Sequence, residues 1–195
     1  MKLIALKPGN LKTVMGVEFV TDATIAEVDS LDILVIPGGF KGTIEAAYNS
    51  ELQQWIRDID RTTTYTTSVC TGGWILGSTG LLKGKKATTN WYDAEHMLKK
   101  YGATFTNERF TKDGKYWTAA DVTAGMEMSL ALLEEIAGRD YAQAVMLDME
   151  YAPAQPFKGG SPEKTPKHVP DFMTKMYKAG VDPVITEMEK ATEKQ

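Results

Sequence analysis

The stretch 62–82 constrains this chain more than any other. It reads Thr-Thr-Thr-Tyr-Thr-Thr-Ser-Val-Cys-Thr-Gly-Gly-Trp-Ile-Leu-Gly-Ser-Thr-Gly-Leu-Leu. The β-branched run Thr62–Val69 favours an extended strand, and it stops at Cys70, the only cysteine in the sequence. Thr71-Gly72-Gly73 follow, then the helix-compatible Trp74, Ile75 and Leu76. A strand that turns sharply into a helix at one reactive residue is a nucleophile elbow. Small residues just after the nucleophile let the helix start close beneath it. The unpaired N–H groups and positive dipole end of that helix are expected to favour thiolate over thiol. A lone cysteine often serves as a small buried apolar side chain; here the strand–Cys–Thr–Gly–Gly–helix context favours a nucleophile.

The remaining sequence supports one ordinary α/β domain over residues 1–195. A chain of 195 residues buries a sizeable core without needing two domains. Lys2–Leu6 reads as a buried strand ended by Pro8-Gly9. Val14–Thr21 and Thr24–Val28 read as a small extended excursion. Asp32–Ile36 is continuously apolar after its first residue, the pattern of a parallel strand buried on both faces. It runs into Pro37-Gly38-Gly39 at the strand's carboxyl end, where open α/β sheets bind ligands. Ser50-Glu51-Leu52-Gln53 matches a capping box, and Leu52, Trp55, Ile56 and Ile59 follow at helical spacing.

After the elbow, Ala87–Trp91 is strand-like. Asp93 is placed to cap a short helix that Gly102 stops. Thr104–Phe110 and Tyr116–Ala119 flank Lys112-Asp113-Gly114, a hairpin signal. Thr123–Ala137 is apolar on most faces and reads as a central helix, with Arg139–Glu150 continuing as another. Residues 152–170 hold five of the eight prolines, which suits an extended arm. Asp171–Ala179 and Pro183–Thr192 read as two helical pieces broken at Gly180, within a C-terminal extension over 171–195.

Composition excludes several classes. The 22 basic and 26 acidic residues give a net charge of −4 with no long block of either sign, so no nucleic-acid partner is expected. No apolar run reaches the roughly 20 residues of a membrane span. One cysteine forms no internal disulfide, which suits a reducing, cytoplasmic compartment. His96 and His168 lie far apart without a second cysteine, so neither a metal nor another cofactor is expected.

Three motifs then act together: Val35-Ile36-Pro37-Gly38-Gly39, Ser68-Val69-Cys70-Thr71-Gly72, and Asp121-Val122-Thr123-Ala124-Gly125-Met126-Glu127. Their order and spacing resemble the ThiJ/PfpI superfamily, itself similar to class I glutamine amidotransferases. Ala87-Thr88-Thr89-x-Trp91, the run from Glu150 to Phe157 and Gly160-Ser161-Pro162-Glu163 resemble its isonitrile-hydratase-like branch. The similarity spans about Lys2 to Pro166. The resemblance implies a flavodoxin-like three-layer sandwich with a mostly parallel sheet, a homodimer, and Cys70 as nucleophile acting on a small-molecule substrate. It implies hydration of an isonitrile to an N-substituted formamide. The backbone N–H groups of Gly39 and Thr71 would stabilise developing charge, and Gly38, Gly72, Asn90, Trp91 and Asp121 would line the pocket. A non-enzymatic, redox-responsive protein with an oxidisable Cys70, and a glyoxalase- or amidase-like hydrolase, are the alternatives.

The sequence departs from that family in two ways. Lys2–Leu6 aligns with the family's second strand, so the first strand, its helix and the acidic residue facing the cysteine have no counterpart here. A dimer contact or strand exchange is expected to compensate. Asn90 stands where hydrolase-like relatives carry histidine, which argues against a Cys–His dyad. Asp121 stands where relatives have glycine, either as a replacement acid or as a helix cap. Glu18 is the nearest acid to the missing one in sequence, with no reason to lie beside Cys70. Glu134-Glu135 reads as a solvated pair, and His96 as a surface residue.

Overall fold

The structure is a computed structural model covering residues 1–195, of which residues 1–13 and 15–192 are described. The chain opens with the short strand β1 (Ile4–Ala5), the hairpin β2 (Asn10–Lys12) and β3 (Glu18–Val20), and β4 (Ala23–Thr24), which pairs parallel with β1. The first half of the predicted extended excursion thus forms one arm of a hairpin, apart from Val14, which lies outside the described residues. Its second half, Thr24–Val28, is not an extended run: Ile25–Glu27 form a 3-10 turn that Glu27 closes on Thr24. Next come β5 (Ile33–Ile36), α1 (Lys41–Ala47), α2 (Ser50–Asp60), β6 (Tyr65–Val69) and α3 (Gly72–Ser78). Then follow β7 (Lys86–Ala87), α4 (Ala94–Lys100), β8 (Thr104–Phe105), β9 (Phe110–Asp113) and β10 (Tyr116–Ala119). Three long helices close the chain: α5 (Val122–Ala137), α6 (Arg139–Asp148) and α7 (His168–Thr192).

The main sheet has the order β5-β6-β10-β9, parallel except for β9, with Val35 beside Thr67 and Thr67 beside Trp117. Because side chains alternate along a strand, Leu34 and Ile36 face the core formed with Ile56 and Ile59 of α2 and Ile75 and Leu76 of α3. On the other face, Val69, Trp117 and Ala119 pack on Ala124, Met128 and Leu132 of α5. Helices therefore lie on both faces of a parallel-dominated sheet, as expected of a flavodoxin-like sandwich.

The structure corrects four local readings. Asp32–Ile36 is not buried on both faces: Ile33 is 36% and Val35 57% exposed. Among the described residues β5 pairs only with β6, and α5 covers β6 and β10 without reaching it. Helix α5 is correspondingly one-sided, with Val122, Met126 and Ile136 exposed. The cap of α2 is Asn49, whose Oδ1 accepts from Leu52 N at 2.8 Å, one residue before the predicted box; Asp93 precedes α4 but spends its carboxylate on His96 Nδ1, 2.8 Å away. Finally, α7 is a single helix that runs through Gly180 and Pro183.

That continuity comes from tertiary packing. Pro183 lacks the N–H that would bond four residues back. However, Tyr177, Val181, Val184, Ile185 and Met188 recur on one face of α7 and pack against Ile44, Trp74, Tyr92 and Met97. Polar contacts hold the same face. Tyr92 Oη donates to Asp182 Oδ1 at 3.1 Å, and Glu189 Oε1 accepts from Lys100 Nζ at 2.7 Å and from Tyr48 Oη at 3.2 Å.

The Lys100 bond holds the Glu189 carboxyl below its ordinary value. A carboxyl depressed in the folded state contributes stability above its unfolded pKa, and that contribution is lost as pH falls through the folded value. Acidification below about pH 4 is therefore expected to loosen the C-terminal half of α7 before the sheet. Amide exchange across residues 182–192 should rise first, and exchange that rises together in β6 and α7 would refute a local release.

Candidate active site

The site forms where the carboxyl ends of β5, β6 and β10 meet. Strand β6 delivers Cys70, whose backbone N donates to Ala119 O at 2.9 Å and whose carbonyl accepts from Thr89 Oγ1 at 2.7 Å. Its φ is +58°, in the left-handed region that an elbow requires and that non-glycine residues adopt only under constraint. Two glycines make the close approach possible. A Cβ on Gly38 would lie 2.7 Å from Cys70 Cβ, and one on Gly72 would lie 2.3 Å from Ile36 O. Only glycine allows the β5 loop and the start of α3 to come this close to Cys70.

Thr71 ties the two loops together. Its Oγ1 accepts from Gly39 N at 2.9 Å and donates to Gly39 O at 2.7 Å. The Gly39 N–H predicted to face substrate is thus engaged by the threonine hydroxyl. The Thr71 backbone N–H lies at the Cys70 sulfur, where it favours the thiolate.

Asp121 is the helix cap that was one of its two predicted readings, and it also binds Asn90. Its Oδ1 accepts from Val122 N at 2.8 Å and so caps α5, while its Oδ2 accepts from Asn90 Nδ2 at 2.8 Å. Asn90 is 1% exposed, and its Oδ1 accepts from Tyr92 N at 3.0 Å, so it is fixed at both ends of its amide. The Asp121 carboxylate stands beside the thiol. Burial first, and the Asp121 charge second, raise the Cys70 pKa against the help of Thr71. The expected preference for thiolate is therefore reversed: α3 spans only seven residues, and desolvation outweighs its dipole.

Other candidate residues lie elsewhere or support the site from behind. Glu18 pairs with Lys12 in the β2–β3 hairpin, His96 with Asp93 on the surface, Glu134 with Arg139 and Glu135 with Lys112. Trp91 follows Asn90 and belongs to an aromatic cluster at the edge of the site. The sequence reading missed the other three members of that cluster, Phe40, Tyr92 and Tyr177. Tyr177 of α7 stacks on Phe40 with ring centroids 5.2 Å apart and on Tyr92 at 5.0 Å, and meets Trp91 edge-on at 5.5 Å. Phe40 directly follows the Gly38-Gly39 loop and was open to view there, whereas nothing near Tyr177 in sequence points to Cys70. Among the described residues, no group of three metal-ligating side chains occurs, and no helix is long and apolar enough to cross a membrane.

With this geometry in place, comparison with known proteins is direct. The model of the DJ-1/PfpI family matches residues 1–135. The chain belongs to the DJ-1/PfpI family. Its elbow at Cys70, the Pro37-Gly38-Gly39 loop and the start of α5 all fall inside the matched region. Among relatives of this DJ-1/PfpI chain, the isonitrile hydratase of Pseudomonas putida is 40% identical over 157 residues, covering 80% of this chain and 68% of that protein. The HTH-type transcriptional regulator CdhR of Pseudomonas aeruginosa is 29% identical over 131 residues, 67% of this chain but 38% of that protein. A solved ThiJ/PfpI family protein from Pseudomonas syringae superposes with a TM-score of 0.89 at 33% identity, over 96% of this chain and 77% of the other.

Proposed function

We propose that this protein hydrates an isonitrile to an N-substituted formamide at Cys70, with Asp121 moving the proton. The observation that carries this reading is the Asp121 carboxylate, held by Val122 N and Asn90 Nδ2 next to a thiol whose pKa burial first, and then the Asp121 charge, raise. The 40% identity to an isonitrile hydratase supplies the substrate class. In the first step Asp121 accepts the thiol proton as sulfur bonds to the isonitrile carbon, then returns that proton to the same carbon, leaving a thioimidate. In the second step water, deprotonated by Asp121, adds to the thioimidate carbon. Nitrogen takes up the proton that Asp121 removed from water. The new hydroxyl then loses its proton by way of Asp121 as the carbonyl forms and the carbon–sulfur bond breaks, and that proton returns to sulfur, releasing the formamide and free thiol. The sum is one isonitrile plus one water, with Cys70 and Asp121 restored.

Two features weigh against the alternatives. Oxidation follows thiolate character, and a thiol whose pKa is raised carries little thiolate at neutral pH. Cys–His hydrolysis lacks its base, because the position beside the elbow is Asn90. The test is incubation with a simple alkyl isonitrile and mass-spectrometric detection of the N-alkylformamide. Formamide from the protein and none from Cys70→Ala is the expected result, and an isonitrile that remains intact with the unaltered protein would overturn the reading.

A further inference from the structure

We infer that Tyr177 of α7 is a substrate-positioning residue of the Cys70 site, its ring forming one wall and its hydroxyl donating a hydrogen bond into the pocket. The inference rests on the reading of Cys70 as the nucleophile. Two loops that build the site hold this one ring. Phe40 comes from the loop carrying Gly38 and Gly39, and Trp91 and Tyr92 come from the segment carrying Asn90; α7 supplies Tyr177 between them. Two near-parallel stacks at interplanar angles of 25° and 22°, with an edge contact from the side, leave the ring little freedom to rotate out. Below it, Val181 is buried among Ile44, Trp74 and Met97, which fixes the helix that carries it.

The hydroxyl has a defined role in this setting. Asn90 gives one amide N–H to Asp121, and the same amide opposes the rise of the Tyr177 pKa as a hydrogen-bonding neighbour of its phenol. An oxygen that accepts from Asn90 has its own proton free to donate. Burial, and then the Asp121 charge, raise the Tyr177 pKa, so the phenol keeps that proton through the neutral range. A donor held here can bond to the substrate nitrogen as it gains electron density on attack at the neighbouring carbon.

Two variants separate wall from donor. Tyr177→Phe keeps the stack and removes the hydroxyl. It is expected to lower kcat for an alkyl isonitrile about tenfold with KM nearly unchanged, and to melt like the unaltered protein. Tyr177→Ala removes the wall, and Cys70 is expected to react several-fold faster with a bulky N-aryl maleimide while its rate with iodoacetamide changes little. Unaltered kcat and KM in Tyr177→Phe would overturn the donor role, and an unaltered maleimide rate in Tyr177→Ala would overturn the wall. Should the unaltered protein turn over no isonitrile, the proposed reaction fails, and the maleimide measurement still decides whether Tyr177 walls the site.

Discussion

Asp121→Asn is expected to slow isonitrile hydration by about two to three orders of magnitude, as loss of a general acid–base does, while making Cys70 more reactive toward iodoacetamide at pH 7. The opposite signs follow from the position of the carboxylate. The Cys70 thiol is held up first by burial and then by the Asp121 charge, so neutralising that charge lowers the thiol pKa and raises the thiolate fraction at any pH below it. Hydration nevertheless suffers, because a proton must reach the isonitrile carbon and water must be activated, and an amide does neither. Asparagine is itself a good helix cap and keeps one oxygen for Val122 N, losing only the bond from Asn90 Nδ2, so the fold should survive. Full turnover in the variant would remove Asp121 from the mechanism, and an alkylation rate that fell instead of rising would show that its charge does not act on the sulfur.

Asp60→Ala is expected to be the most damaging single change away from the site, at about 2–4 kcal/mol. Asp60 is 6% exposed and closes a network at the end of β6 opposite Cys70. Its Oδ1 accepts from Thr66 Oγ1 at 2.7 Å and lies 3.2 Å from Lys115 Nζ, and its Oδ2 accepts from Tyr116 Oη at 3.0 Å. Burial, and then Asp60 itself, push the Tyr116 phenol up to about 12. Removing the carboxylate takes the charge partner from Lys115, whose ammonium keeps only the Asp60 carbonyl and Thr63. It also takes one of two partners from the buried Thr66 hydroxyl, which keeps Thr63 Oγ1. Loss of a partner from a buried network costs more than the bond itself contributes. A melting temperature lower by roughly 5–15 °C follows for a chain of this size. A shift within about 2 °C would mean that the Thr63 and backbone contacts suffice for Lys115 and Thr66.

Local backbone demands explain what the sequence made legible. The elbow was readable because a nucleophile at positive φ needs a strand before it and residues without bulk around it. Ser68-Val69-Cys70-Thr71-Gly72 and Pro37-Gly38-Gly39 spell out both conditions, and the family resemblance added the sheet. What was missed depends on packing between distant segments. A continuous apolar run such as Asp32–Ile36 reads the same whether one face is covered or two, so the exposure of Val35 has no local signature. Gly180 and Pro183 signal a helix break, and only the docking of Val181, Val184 and Ile185 overrides them. Asp121 reads as a cap from its neighbours alone. Its second role requires Asn90 to arrive from another loop, just as the role of Tyr177 requires α7 to cross the mouth of the site.

The left-handed backbone at Cys70 links reactivity to folding. A residue held at φ +58° sits about 1–3 kcal/mol above its relaxed conformations, and it stays there because Ala119 O, Thr89 Oγ1 and the Gly38 and Gly72 contacts leave it nowhere else to go. Should β10 separate from β6, or α3 shift away from Pro37, the peptide would relax and carry the sulfur out of line with Asp121 while every side chain remained intact. The Cys70 thiol is therefore a sensor of its own scaffold: its alkylation rate is expected to report whether the sheet beneath it is closed.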